Sequence, residues 1–304
     1  MAAGLIAPVT IARTAPLTRM MLGFNGTSSY LTAPQLLIGQ PLAQFSFETW
    51  VNLADAAKSG TLWSNNDGSL SLQFLGGTPA AKLQIVMGTT TLTFGYSFSA
   101  GEWYYIVVSY DTTGDQTIGL WVNAAPQVPL THDLSPLSLG PARIGAAGGS
   151  ASLFLDGAIG MVRFWKGIVY GQNVAELQYM TLWGPTTMTG AFGEMVLIGN
   201  WHCDEGYGDI AFDYSGDADA SLGGGNPLAK PRWEVSTILK PPDFITLETL
   251  TTPGPGPEQL KIRMAFPPRA ALEIPAATPR MQQHTAKKEQ VEATRKRAPS
   301  KKKR

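Results

Sequence analysis

Between Leu22 and Trp165 six stretches repeat one layout, an alternating apolar and polar run studded with aromatics and closed by a Gly, Asn or Asp turn. They are Leu22–Leu31, Phe45–Val51, Thr61–Trp63, Gly101–Asp111, Ile118–Asn123 and Phe154–Trp165. Residues two apart on a strand share a face, so each run has one face to bury and one to wet. Such strands stack as two layers. Turn signals recur from Met21 to Leu239, among them Asn25-Gly26, Asn66-Asp67-Gly68, Thr113-Gly114-Asp115 and Gly223-Gly224-Gly225. The pattern predicts an all-β fold, a two-sheet antiparallel sandwich. One segment departs from it. Across Asn173–Trp183, Val174, Leu177 and Met180 fall at helical spacing, which predicts one short helix with Asn173 as its N-cap.

Composition supports this reading. Of 304 residues, 44% are apolar and only 15% charged, with 33 Gly and 22 Pro, which suits a turn-rich sandwich with a large core. Cys203 is the lone cysteine, so no internal disulfide forms and the fold must hold without oxidation. No run reaches the ~18 apolar residues that span a bilayer. The apolar stretch from Ala2 to Ala12 lacks a basic leader and is interrupted by Pro8, so it reads as an extended arm rather than a signal peptide. An intracellular or virion-associated location is expected.

Zero net charge conceals an asymmetry. Residues 1–260 carry 10 Lys and Arg against 20 Asp and Glu, whereas residues 261–304 carry 13 against 3. The expected organisation is an arm over 1–20, the sandwich over 21–240, a Pro-rich linker over 241–280 and a disordered tail over 281–304. The tail's cations are Lys287, Lys288, Arg295, Lys296, Arg297, Lys301, Lys302, Lys303 and Arg304. Their spacing resembles a bipartite nuclear-import signal, and the same charges could neutralise nucleic-acid phosphates without reading sequence. No aromatics are interleaved, so base stacking is not indicated.

Several pieces, in order, resemble the concanavalin A-like, laminin-G-like jelly-roll superfamily over roughly residues 21–238. Phe24-Asn-Gly-Thr-Ser-Ser-Tyr-Leu31 looks like that family's opening strand, and Phe45-Ser-Phe-Glu-Thr-Trp-Val51 resembles its "ftieaWv" strand. Gly101-Glu-Trp-Tyr-Tyr-Ile-Val-Val-Ser-Tyr-Asp111 and Asp156-Gly-Ala-Ile-Gly-Met-Val-Arg-Phe-Trp165 follow the same likeness. So does the block Trp201-His-Cys-Asp-Glu-Gly-Tyr-Gly208, which runs on to Asp213-Tyr-Ser-Gly216. At Leu120-Trp-Val-Asn-Ala124 the family's Gly is replaced by Ala124, which argues against a type I′ hairpin turn there. The resemblance implies a jelly roll, with ligands met by rim loops.

Tryptophans inside strands (Trp50, Trp103, Trp121, Trp165) read as core. Trp63, taken to lie outside regular strands beside Asn65, Asn66 and Asp67, reads as a better sugar platform. Some relatives hydrolyse glycosides with two carboxylates on one strand face. The usual Glu-x-Asp-x-Glu spacing is absent here, as are phosphate-loop, His-Glu-x-x-His and Cys-x-x-Cys motifs. Adjacent His202 and Cys203 would point to opposite faces and could not act together. Asp213, Asp217 and Asp219 offer carboxylates on a Gly-containing turn, a calcium possibility weighed against an Asx-turn. Asn25-Gly26-Thr27 is a formal glycosylation sequon on a turn with its own geometric purpose.

The expectation is a non-catalytic, lectin-like module binding a glycan or a protein surface. The competing expectation is a structural assembly protein, viral or particle shell, that oligomerises and holds nucleic acid by its tail. An atypical glycoside hydrolase is the third.

Overall fold

The computed structural model describes residues 9–13, 20–36, 41–113, 116–131, 135–149, 151–178, 187–190, 193–216, 218–238, 243–250 and 259–263. Strands, numbered along the chain, form three antiparallel sheets in two compact units. The larger unit spans residues 15–240.

Its ten-stranded sheet contains β2 (Met20–Asn25), β4 (Gln44–Leu53), β9 (Trp103–Asp111), β10 (Thr117–Val122), β11 (Ala125–Pro126), β12 (Leu130–Thr131), β14 (Asp156–Lys166), β15 (Thr187–Gly190), β16 (Gly193–Trp201) and β19 (Arg232–Val235). The order is β11-β10-β9-β4-β14-β16-β15, with β2 linking β14 to β19. The eight-stranded sheet contains β3 (Leu31–Ala33), β5 (Gly60–Asn65), β6 (Leu70–Leu75), β7 (Lys82–Met87), β8 (Thr90–Thr93), β13 (Ala142–Ile144), β17 (Ile210–Ala211) and β18 (Ala220–Leu222). Its order is β17-β18-β3-β13-β5-β6-β7-β8. This is the two-sheet antiparallel sandwich that the alternation predicts and the jelly roll that the resemblance implies.

The two sheets bury Phe45, Phe47, Ile106, Val108, Val162 and Phe164 against Trp63, Leu72, Phe74, Leu83 and Ile85. Phe164 meets the rings of Phe47 and Trp63 at centroid distances of 5.0 and 5.1 Å, so aromatic contacts stitch β4, β14 and β5 together. Side chains of this size each contribute about 1.5–3 kcal/mol when fully buried. A second apolar layer lies on the far face of the ten-stranded sheet. It gathers Trp50, Tyr105, Val107, Trp121, Met161 and Trp165 under Val169, Val174, Leu177 and Ile238. The strand tryptophans are therefore buried, but mostly in this outer layer, while Trp103 is half-buried and donates its indole N–H to Thr237 Oγ1 at 2.8 Å. Period two explains the placement, since Trp50 shares its face with Met161 and Tyr105 across the ladder.

The helix α1 spans Gln172–Leu177 and buries Val174 and Leu177, as their spacing predicts. Asn173 is not its cap. Gly171 holds that position at φ 54 without a side-chain bond, and Asn173 sits inside the first turn with its N–H donating to the Tyr170 carbonyl. Met180 lies outside the described residues.

The smaller unit groups residues 1–14 with 241–304. Its described strands are β1 (Val9–Arg13), β20 (Asp243–Leu250) and β21 (Gln259–Arg263), in the order β1-β20-β21. The extended arm and the Pro-rich linker thus contain paired strands, contrary to expectation. Prolines forbid a ladder only where they sit, and Asp243–Leu250 is a Phe-, Ile-, Leu- and Thr-rich run with none. The basic tail over 281–304 lies outside the described residues.

Ala124 also corrects an expectation. Trp121 and Val122 pair with Pro126 and Ala125, leaving Asn123-Ala124 as a two-residue turn with φ 50 and 63. Two left-handed residues in a two-residue hairpin make the type I′ geometry, achieved here with a Cβ in place. Left-handed backbone costs a non-glycine residue about 1–2 kcal/mol, and burying a methyl returns less than one. We expect Ala124→Gly to raise stability by about 0.5–1 kcal/mol in urea unfolding, the relief outweighing the lost methyl.

Candidate functional site

The outer face of the ten-stranded sheet holds a buried polar centre beneath the second apolar layer. Glu48 of β4 stands opposite Arg163 of β14 in the ladder, and both are almost wholly buried. Glu48 pairs with the Arg163 guanidinium through one oxygen and accepts from the Tyr105 hydroxyl with the other. Burial first, then the Glu48 carboxylate, lift the Tyr105 phenol well above its ordinary range, so it remains a donor.

The strap from Gly167 to Gln178 roofs this centre and is tied to it by side-chain contacts to its backbone. Ser46 Oγ donates to Gly167 O at 3.0 Å, and Ser109 Oγ to Val169 O at 2.7 Å. Arg163 Nη2 donates to Leu177 O and Trp50 Nε1 to Gln178 O, both at 3.1 Å. This is a folding device closed to ligands. Sequence reasoning missed it, although Glu48 and Arg163 each sit in a strand on the face shared with tryptophans. What the pattern lacked was any sign that this second face is covered.

His202 lies at the edge of the same region, stacked on Tyr214 with centroids 4.2 Å apart and planes 12° from parallel. Burial, then the Arg163 charge, push its pKa down to about 3. Neighbouring Cys203 is buried at φ 55, and burial lifts its thiol well above the ordinary range. Neither is poised as a base or nucleophile.

The acidic block proves to be a loop brace. Asp213 is buried; its Oδ1 accepts from Asn200 N, Ser215 N and Ser215 Oγ, and its Oδ2 from Ala218 N. Asp219 Oδ1 accepts from Asp213 N at 2.9 Å, and Glu205 Oε1 from Phe212 N at 2.9 Å. These carboxylates face backbone amides, which is the Asx-turn alternative to calcium. Among the described residues no three His, Cys, Asp or Glu side chains gather as metal ligands. Asp217 lies outside the described residues.

Trp63 is not a sugar platform. It sits within β5, 2% exposed, in the core between the sheets. Asn65 is also buried, its amide donating to Ser69 Oγ and Ser138 O and accepting from Gly140 N. Asn66 and Asp67 are exposed at the β5–β6 turn, where Ser69's N–H and hydroxyl hold the Asp67 carboxyl below its ordinary range. The polar turn beside Trp63 misled, since β5 runs on through Asn65, and a register shift between Thr61 and Trp63 marks a bulge there.

Beyond that turn a polar track crosses the outer face of the eight-stranded sheet, buried at Ser71 and opening at Gln73 and Gln84. Leu72 and Phe74 of β6 face the core, which sets Ser71 and Gln73 outward, and Leu83 and Ile85 of β7 do the same for Gln84 and Val86. Gln84 Nε2 donates to Gln73 Oε1 at 3.3 Å and Gln73 Nε2 to Ser71 Oγ at 2.7 Å. Both glutamines are half-buried, with exposed Thr91 and Thr93 of β8 opposite Val86 and Gln84. The signal for this surface is legible in the chain: Lys82 is the single charge between Gly68 and Gly101.

Residues 25–175 match the laminin-G-type family described as the concanavalin A-like lectin/glucanases superfamily. Over those residues, just under half of the chain, the sandwich matches that superfamily. A proposed carbohydrate-binding protein from Bacteroides ovatus superposes with a TM-score of 0.56 at 16% identity, over 73% of this chain and 61% of that one. The chain thus spans 61% of that protein's length, and the likeness speaks to the fold. A SAP-like pentraxin from Limulus polyphemus gives 0.45 at 13% identity, over 54% of this chain and 83% of that one. The CBM40 of Ruminococcus gnavus IT-sialidase, bound to alpha2,3 sialyllactose, gives 0.41 at 10% identity, over 54% and 99%. Among curated protein sequences none matches the chain.

Two outcomes follow from the buried centre. Glu48→Ala strands a guanidinium away from water and should cost about 3–5 kcal/mol, while Glu48→Leu combined with Arg163→Met should recover most of it. Urea unfolding of the single and double variants measures both. His202 is neutral when folded but takes a proton near pH 6.5 when unfolded, so stability is complete above that pH and falls as acid is added, down to about pH 3. Between pH 6.5 and 5 the loss should approach about 2 kcal/mol, and His202→Gln should flatten that slope.

Proposed function

We propose that this protein is a non-catalytic, lectin-like recognition module that binds glycan. The superfamily holds both lectins and glucanases. The carboxylate chemistry separates the two readings. A glycosidase needs an acid and a base or nucleophile turned toward a sugar, with their oxygens available for proton transfer.

The buried carboxylates of the described strands and loops are all engaged otherwise. Glu48 is held by Arg163 and Tyr105, Asp111 accepts from Gln44 and Thr113, and Asp213 from the amides around its loop. That engagement carries the non-catalytic part of the reading. Its glycan part rests on the superfamily and on the open, hydroxyl- and amide-lined face of the eight-stranded sheet. Carbohydrate binding by the Bacteroides ovatus protein, as proposed for it, is compatible support from a distant relative of the same fold.

A glycan array probed with the full chain, in calcium and in chelator, tests the reading, together with a reducing-end assay on the polysaccharides retained. Retention of at least one glycan with no release of reducing ends is expected. An array without any retained glycan would end the lectin reading, and release of reducing ends would end the non-catalytic one.

A further inference from the structure

We propose that the outer face of β6, β7 and β8 is the glycan site and that its ligand is an uncharged glycan, a deepening that rests on the lectin reading above. The first observation is electrostatic. Across the 34 residues from Gly68 to Gly101 the chain places one charge, Lys82, although 15% of all its residues are charged. That ammonium is turned onto the Gly95 carbonyl at 2.6 Å, with Ser97 Oγ at 3.5 Å. Solvated protein surfaces ordinarily intersperse both signs of charge, whereas the centres of binding surfaces are depleted of it. The cations on this side of the sheet, Lys82 beside Gln84 and Arg143 of β13, are both turned onto backbone carbonyls, Lys82 onto Gly95 and Arg143 onto Ala147 and Gly149, so among the described residues no cation stands free at the centre of the face to pair with a carboxylate, sulfate or phosphate.

The second observation is the hydrogen-bond inventory. A glutamine amide carries two N–H donors and two acceptor lone pairs. The relay from Gln84 through Gln73 to Ser71 uses one donor of each amide and one lone pair of Gln73. It fixes two half-buried amides side by side on neighbouring strands, each with a donor and an acceptor that the relay leaves unused. Sugar hydroxyls donate and accept at once, so vicinal hydroxyls suit such an array, while a ligand that only accepts or only donates wastes half of it. Flanking the amides are half-buried Val86 and Leu75, which is 47% exposed, and the methyls of Thr91 and Thr93. These supply the apolar surface that the C–H face of a sugar ring covers. Pre-ordering of the amides by their own relay lowers the entropy lost when ligand arrives.

The test uses the full chain and titration calorimetry with neutral oligosaccharides (glucan, xylan, mannan and galactan series) against sialylated, sulfated and uronate-containing ones. It is run in 50 and 500 mM NaCl. A neutral series should bind with a Kd that changes less than about twofold between the two salts, since no ion pairs are there to screen. Gln73→Ala and Gln84→Ala should each weaken binding about tenfold at unchanged melting temperature, and Gln127→Ala, in the loop between β11 and β12, should leave it unaltered. Retained glycan binding that ignores Gln73 and Gln84, or that prefers anionic sugars and collapses in salt, overturns the site and ligand class while the lectin reading stands. If no glycan of either kind binds, the lectin reading itself falls. Light scattering on the same variants closes the remaining case: a dimer that Gln73→Ala and Gln84→Ala dissociate would assign the face to a second copy and overturn the proposal.

Discussion

Placing Glu48 and Arg163 together in the middle of a sheet, away from water, constrains everything around them. A buried charge pair is tolerated only when its remaining donors and acceptors are met, and here Tyr105 and the Leu177 carbonyl meet them. That demand explains why the strap from Gly167 to Gln178 runs where it does. Its carbonyls are the acceptors that the outer face of the ten-stranded sheet requires, and Val169, Val174 and Leu177 seal the site from solvent. The sheet thus has two buried faces, one against its partner sheet and one against its own connecting segment.

The consequence is a division of labour between the layers. With the ten-stranded sheet covered, a broad face left open by the sandwich is the outer side of the eight-stranded sheet. There the chain spends mostly uncharged polar residues, its cations Lys82 and Arg143 turned onto backbone carbonyls, and the loops around it are braced internally. Asn25 accepts from the amides of Thr27, Ser28 and Ser29, while Asp213 organises the turn beyond β16. Residues that look chemically loaded in the sequence are spent on holding loops. The face we propose for recognition is assembled from bland ones.

Most of the architecture was legible in the chain because period-two alternation is a direct imprint of burial. The runs around Phe45, Tyr104 and Phe164 became strands with the expected inner faces, and Val174 and Leu177 marked the helix. The misses have physical causes. Trp63 was misplaced because the polar Asn65-Asn66-Asp67 turn beside it hid that β5 continues through Asn65 with every residue buried. Ala124 was underestimated because hairpin twist can hold a Cβ-bearing residue in left-handed backbone. Asp243–Leu250 was hidden by neighbouring prolines that never enter its ladder. The ion pair could not be read because Glu48 and Arg163 are far apart in sequence and nothing local announces that their face is roofed. The stretch from Gly68 to Gly101, with Lys82 its single charge, was in plain view, but a scarcity of charge carries meaning only once strands show which side is open.

The two aromatic layers also sort the buried indoles among the described residues. Trp63 and Trp201 lie between the sheets, whereas Trp50, Trp121 and Trp165 sit under the strap. The chain therefore contains two separate sets of intrinsic fluorophores, one reporting the inter-sheet seam and the other its roof. Loosening of the roof alone would redden part of the emission while the seam's share stayed blue, so a single-wavelength melting trace can conceal two events.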